Sequence, residues 1–203
     1  MTTQQQQPPP CPELTKDGMN IREGLPLQAA DSGEFAALRA NIQQLMDIEA
    51  IKQLKHAYFR CVDTANLKEL ASLLHPEVSV DFIGGSYAWK LQGREAYVDA
   101  VGKAFNQQAV GHHNGHSPEI QLLSEHEATA IWYLADHMWV LNYRHLTTGS
   151  ALYRDRYVKV DGRWLIRETH YQRLYEINQS LDENPALAAH YLGVHGAPAE
   201  QPG

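Results

Sequence analysis

At His75-Pro76 the spacing of the hydrophobic residues changes, from one apolar position every three or four residues to strict alternation. Before it, Ile48, Ile51, Leu54, Tyr58 and Cys61 recur at helical spacing and so share one face. After it, Val78, Val80 and Phe82 alternate with Ser79 and Asp81, the pattern of a half-buried strand that ends at Gly84-Gly85. Helix, helix, two strands, helix and then four long antiparallel strands is an α+β order.

Around that switch the elements read as follows. Asp31 with Glu34 resembles a capping box and opens a first helix over 32–46, and Asp47 caps a second that runs to Thr64. Asn66 caps a short helix, Leu67 to Leu74, which must end before a proline. Tyr87 to Leu91 completes a hairpin, and Gly93-Arg94 leads into a helix with Tyr97, Val101 and Phe105 inward. Four strands are expected near 110–123, 127–142, 151–160 and 163–177, joined by turns at Ser124-Glu125, Thr147-Thr148-Gly149 and Asp161-Gly162 and paired in sequence. Residues 1–30, with their Gln and Pro runs, are expected to be flexible or ordered by a partner. The domain proper is 31–179, with its core over about 47–179. A polar tail, 180–203, carries one short helix at 185–192, capped by Asn184 and stopped by Gly193, which could lie over a pocket mouth.

Composition narrows the function. The 203 residues suffice for one core domain with tails. A net charge of -7 and the lack of any Lys/Arg run argue against a nucleic acid or an anionic membrane as partner, and favour a neutral or aromatic small molecule. Two cysteines, Cys11 and Cys61, give neither a disulfide framework nor a zinc spacing. With no secretory leader or apolar span in view, a cytoplasmic location is expected. No dinucleotide or phosphate loop and no G-x-S-x-G elbow is present.

Three clusters carry chemistry. Asp63 stands where the apolar stripe of the core helix meets a turn, placed to act as a base or to orient one, though a helix-terminal Asp bonding the next turn is the plainer reading. Tyr58 on the same stripe is either core or an acid. His112, His113 and His116 put three imidazoles into five residues, with His112 and His116 on one strand face and His113 on the other unless a bulge intervenes. His112, His116 and Asp136 together are a rival zinc set. Trp132, Leu134, Asp136 and Met138 share a face, so Asp136 is a carboxylate among apolar neighbours and needs a partner. Tyr153, Asp155 and Tyr157 share another, and on the last strand Trp164, Ile166, Glu168, His170 and Gln172 oppose Arg167, Tyr171 and Arg173. Aromatic rings among hydrogen-bonding groups suit either a pocket for a hydroxylated ring system or an oligomer interface.

Ile48 to Leu54, Asp63, Leu73-Leu74-His75-Pro76, Gly93-Arg94-Glu95, His113 to Ile120 and Asp161-Gly162-Arg163-Trp164, in that order over about 44–179, resemble a SnoaL-like member of the NTF2-like superfamily. The resemblance implies a cone: a curved, mostly antiparallel sheet wrapped around N-terminal helices with an internal pocket, usually in dimers or trimers. It also implies that Asp63 and His113 form a dyad, and that Tyr58, Asp63, His113 and Asp136 match the catalytic set of bile-acid dehydratases. The likeness to scytalone dehydratase is weaker, because its water-holding tyrosines fall near Val62 and Phe82. The implied activity is that of a cofactor-independent, metal-free lyase on a hydroxylated aromatic or polycyclic molecule, most simply a dehydratase. The same dyad would serve an isomerase, an aldol cyclase or a formaldehyde-releasing retro-aldol lyase, and the cavity alone would serve a binding module. His112, His116, Trp132, Tyr153, Tyr157, His170 and Arg173 are the expected substrate-binding residues.

Overall fold

A computed structural model of the chain describes residues 24–26 and 33–199. Three helices come first or between strands: α1 (Glu34–Asp63), α2 (Leu67–Leu73) and α3 (Arg94–Ala104). They pack on a curved, unclosed six-stranded sheet made of β1 (Leu74–Ile83), β2 (Ala88–Gln92), β3 (Ala109–Leu122), β4 (Glu127–Val140), β5 (His145–Val160) and β6 (Arg163–Ser180). The strand order is β2-β1-β6-β5-β4-β3. The last four strands form the expected antiparallel meander, and β1 joins β6 in parallel, which sequential pairing alone does not supply. The α+β class holds.

Several local expectations change. The two helices read either side of Asp47 are one, thirty residues long. Asp47 does not cap, because its carboxylate is used elsewhere: Oδ1 accepts from Trp164 Nε1 at 3.0 Å and meets Lys159 Nζ at 2.6 Å. The cap at Asp31 lies outside the described residues, as does most of the 1–30 arm; of that arm, Leu25 N–H donates to Leu122 O at the end of β3. Asn66 does cap α2, accepting from Glu69 N–H. Thr147-Thr148-Gly149 is not a turn but part of β5, paired with β4. The turn falls at Leu141–Tyr143, where Arg144 takes the left-handed region at φ 48°. Gly149 is there because a β-carbon would stand 2.5 Å from Tyr175 O. Asp161 and Gly162 both have positive φ, as the expected tight hairpin requires.

The tail helix also moves. Residues 181–190 are not helical, and the helix α4 is Tyr191–His195. Leu187 is exposed and gives no packing to offset the cost of nucleating a helix at Pro185, whereas Leu192 is buried. The segment is seated on the α3–β3 junction through Gln107 N–H to Ala197 O, and His190 Nε2 contacts Ala109 O.

The core lies between α1 and the sheet. Ile51, Leu54, Tyr58, Cys61 and Val62 of α1 are buried with Trp132, Leu134, Tyr157 and Ile166, each full aliphatic burial contributing about 1.5–3 kcal/mol. Beyond the packed base, the open end of the sheet leaves a cavity of about 240 Å³.

Candidate active site

The C-terminal turn of α1 and the start of β3 meet at this cavity. Asp63 is the last residue of α1, and its carboxylate holds His113 twice: Oδ1 is 2.6 Å from Nδ1, and Oδ2 accepts the His113 backbone N–H at 2.9 Å. A carboxylate only accepts, so Nδ1 carries the proton and Nε2 is the free ring nitrogen of a residue that lines the cavity. The ring is held between Phe59, stacked at 6.5 Å, and Phe105, tilted at 5.6 Å. Two glycines allow this approach. A β-carbon on Gly115 would lie 1.9 Å from the Phe59 ring, and one on Gly111 would lie 2.9 Å from Phe105.

Beside His113, as its register partner on the neighbouring strand β4, stands Asp136, 4% exposed and held by Arg173, which donates from Nη1 to Oδ1 at 2.5 Å and from Nη2 to Oδ2 at 2.8 Å. Burial works against the Arg173 charge, but Asp136 outweighs it and raises the pKa of the guanidinium further. Glu176 Oε2 approaches Arg173 Nε at 3.2 Å, so two carboxylates face one cation and leave little attraction for an anionic ligand.

Tyrosine hydroxyls supply the remaining polarity. Tyr58 and Tyr97 share a hydrogen bond of 2.5 Å, Tyr87 and Tyr171 share another, and Arg173 Nη2 donates to Tyr87 Oη at 3.3 Å. These four line the cavity with Tyr153. Burial raises the pKa of every one of the five phenols, so all are protonated and able to donate at neutral pH. Val62, Phe82, Trp89, Val101 and Met138 close an otherwise apolar wall.

Of the residues expected to bind substrate, Tyr153 and Arg173 do line the cavity. His112 and His116 are exposed on the other face of β3, stacked on His137 and Tyr133, because the bulge comes after His116 and leaves the alternation intact up to it. That separates them from inward Asp136 and dissolves the zinc set; among the described residues no group of three or more His, Cys, Asp or Glu is placed to hold a metal ion. Trp132 and Tyr157 point inward but are spent on each other, Trp132 Nε1 donating to Tyr157 Oη at 3.1 Å beneath the cavity. His170 lies outside the cavity beside Ser79 Oγ. The cause is a bulge at Arg167: Ile166 pairs with Tyr157 but Glu168 pairs with Arg156, so the parity flips and Thr169, Tyr171 and Arg173 follow Trp164 and Ile166 inward. The sequence reading missed Tyr87, Tyr97 and Tyr171 as cavity groups. It also passed over Lys55, whose place between Ile51 and Tyr58 on the buried stripe was the available signal.

The SnoaL-like domain model matches residues 43–170, a span from α1 into β6 that supplies the cavity lining except for Tyr171 and Arg173. The chain belongs to the SnoaL-like family. Solved structures share the fold of this NTF2-like superfamily. One is a scytalone dehydratase-like protein from Novosphingobium aromaticivorans DSM 12444, with a TM-score of 0.60 and 22% identity over 74% of this chain and 99% of that one. Another is the hexachlorocyclohexane dehydrochlorinase LinA-type3 from Novosphingobium barchaimii LL02, with a TM-score of 0.62 and 18% identity over 72% of this chain and 99% of that one. The SnoaL-like cavity of this chain carries five phenols and a neutralised arginine.

Proposed function

We propose that this SnoaL-like protein is a lyase that uses His113, oriented by Asp63, to move a proton on a hydroxylated aromatic molecule, with dehydratase-type elimination as its reaction. The observation that carries the reading is the two-point hold of Asp63 on His113 at the wall of an apolar cavity. A carboxylate that fixes the imidazole tautomer prepares Nε2 to accept a proton. The likeness in fold to a scytalone dehydratase-like protein and to a dehydrochlorinase supports elimination as the reaction class.

In the proposed cycle His113 Nε2 takes the proton from the carbon next to a carbonyl or from a phenol. The electron pair moves toward the ring system, where an oxygen gains negative charge and accepts from Tyr58. The imidazolium returns the proton to the departing hydroxyl as its C–O bond breaks, so water leaves and His113 is neutral again. Asp136 acts through Arg173, since a carboxylate held by two guanidinium bonds has no proton to give. No step is assigned to a metal or an organic cofactor. The cavity volume lies below the roughly 300–1,000 Å³ of drug-sized sites, which favours one or two rings over a steroid.

The test is to incubate the protein with hydroxylated aromatics, steroids and lignin dimers and to follow loss of water or formaldehyde by mass. Asp63→Asn and His113→Ala should each lower turnover by at least about 10²-fold. Near-normal rates in both variants reject the reading, release of formaldehyde moves the reaction to carbon–carbon cleavage, and ligand recovered unchanged after long incubation points to a binding module.

A further inference from the structure

Behind the cavity wall lies a charge the proposed chemistry does not use. Lys55 of α1 is wholly buried, with Nζ 2.8 Å from Asp155 Oδ2. Beyond this contact Nζ has no hydrogen-bond acceptor among the described residues. The ammonium instead faces rings: Nζ is 3.7 Å from the centroid of Tyr153, 4.3 Å from that of Tyr58 and 5.0 Å from that of Phe59. Asp155 is fixed in turn by Tyr157, whose hydroxyl donates to Oδ2 at 2.7 Å. Burial pulls the Lys55 pKa down, and Asp155 opposes it.

Lys55 does not line the cavity, but Tyr58 and Tyr153 do. Each of these phenols therefore has the cation against its ring while the ring also forms part of the cavity wall. A buried ion pair is seldom kept for stability alone, because desolvation offsets most of the Coulomb gain. A cation on the face of a phenol is attracted by the ring and draws electron density from its O–H, which strengthens donation from that hydroxyl.

We propose that Lys55 is a positioning residue that fixes Tyr58 and Tyr153 and polarises their hydroxyls as donors to an oxyanion, phenolate or enolate, formed by the ligand in the cavity. This rests on the reading of the cavity as a proton-transfer site for hydroxylated rings. Asp155 keeps the ammonium charged, and Tyr157 keeps Asp155 in place.

The probe is 4-nitrophenol, whose neutral and ionised forms differ in visible absorbance, bound to the full-length protein over a pH series. The quantity read is the affinity for the phenolate relative to that for the phenol. One variant is the double substitution Lys55→Met with Asp155→Leu, which removes both charges and leaves no unpaired charge. The second is Asp155→Asn, nearly isosteric, which strips the ammonium of its counter-charge. Both should lower the phenolate preference by about tenfold, with near-ultraviolet circular dichroism unchanged. An unchanged preference in either folded variant, even with a shifted melting temperature, overturns the role of Lys55 and leaves the cavity reading intact. If 4-nitrophenol does not bind the parent protein, both fall together.

Discussion

Asp136 is a residue whose loss should be read first as stability. It and Arg173 are almost fully enclosed, so removing one partner leaves a charge in a medium that cannot solvate it. Asp136→Ala should cost about 3 kcal/mol in urea unfolding, at the low end for a broken buried pair because Glu176 remains beside Arg173. A loss below about 1 kcal/mol would show that water reaches the guanidinium. That Asp136 needed a partner was legible from its place among Trp132, Leu134 and Met138, but which cation supplied it was not. Strand parity counted from Trp164 sends Arg173 outward, and only the extra residue at Arg167 reverses it. A bulge depends on how two strands meet, and nothing local at Arg167 announces it. Lys55 was hidden for a different reason: a lysine on an apolar stripe is ordinarily snorkelled, and only Asp155, a hundred residues later, keeps it inside.

At the scale of elements, β3 is the strand on which the site turns. Its inward side alternates Gly111, His113 and Gly115, so one imidazole stands between two positions without side chains. Phe59 occupies the space above Gly115 and stacks on His113. Gly115→Ala should therefore displace Phe59, cost about 1–3 kcal/mol by overpacking and lower activity through a misplaced His113, whereas Gly162→Ala, with nothing within 4 Å of the added carbon, should disturb only the turn and leave the site intact. Thermal melts and turnover of the two variants check this, and equal loss of activity in both would break the link between Gly115 and the imidazole. Element type was easy to read where the period was sustained, as in α1, α2 and α3. Boundaries failed where a residue serves distant partners: Asp47 looked like a cap but binds Trp164 and Lys159, and Gly149 looked like a turn but makes room for the neighbouring strand.

For the molecule as a whole, the decisive arrangement is that β6 lies between β1 and β5 and so joins the β1–β2 hairpin to the meander. That parallel junction was not legible, because β1 and β6 are separated by most of the domain and no short turn links them. Glu176 near its end is the clasp. Its carboxylate accepts from Gly85 N–H and Ser86 Oγ in the hairpin and from Asn178, and meets Arg173, which ties the turn before Tyr87 to the cavity's charged pair. Burial pushes the Glu176 pKa up, but the Gly85 amide, Asn178, Ser86 and Arg173 outweigh it and hold the carboxyl below its ordinary 4.5. The sign follows from proton binding. The unfolded chain takes up a proton near the ordinary value and the folded one only at lower pH, so the stabilisation is complete above that value and is lost as pH falls through the folded pKa. Unfolding free energy measured below pH 4.5 should therefore fall less steeply in Glu176→Gln than in the parent. At neutral pH the variant should also be the less stable of the two, since the side chain is only 4% exposed and its charge-assisted contacts to Gly85, Ser86 and Arg173 are weakened. Identical acid slopes in the two proteins would mean that the hairpin is held by its backbone pairing with β6 alone, and Tyr87 would then keep its place at the cavity wall without the clasp.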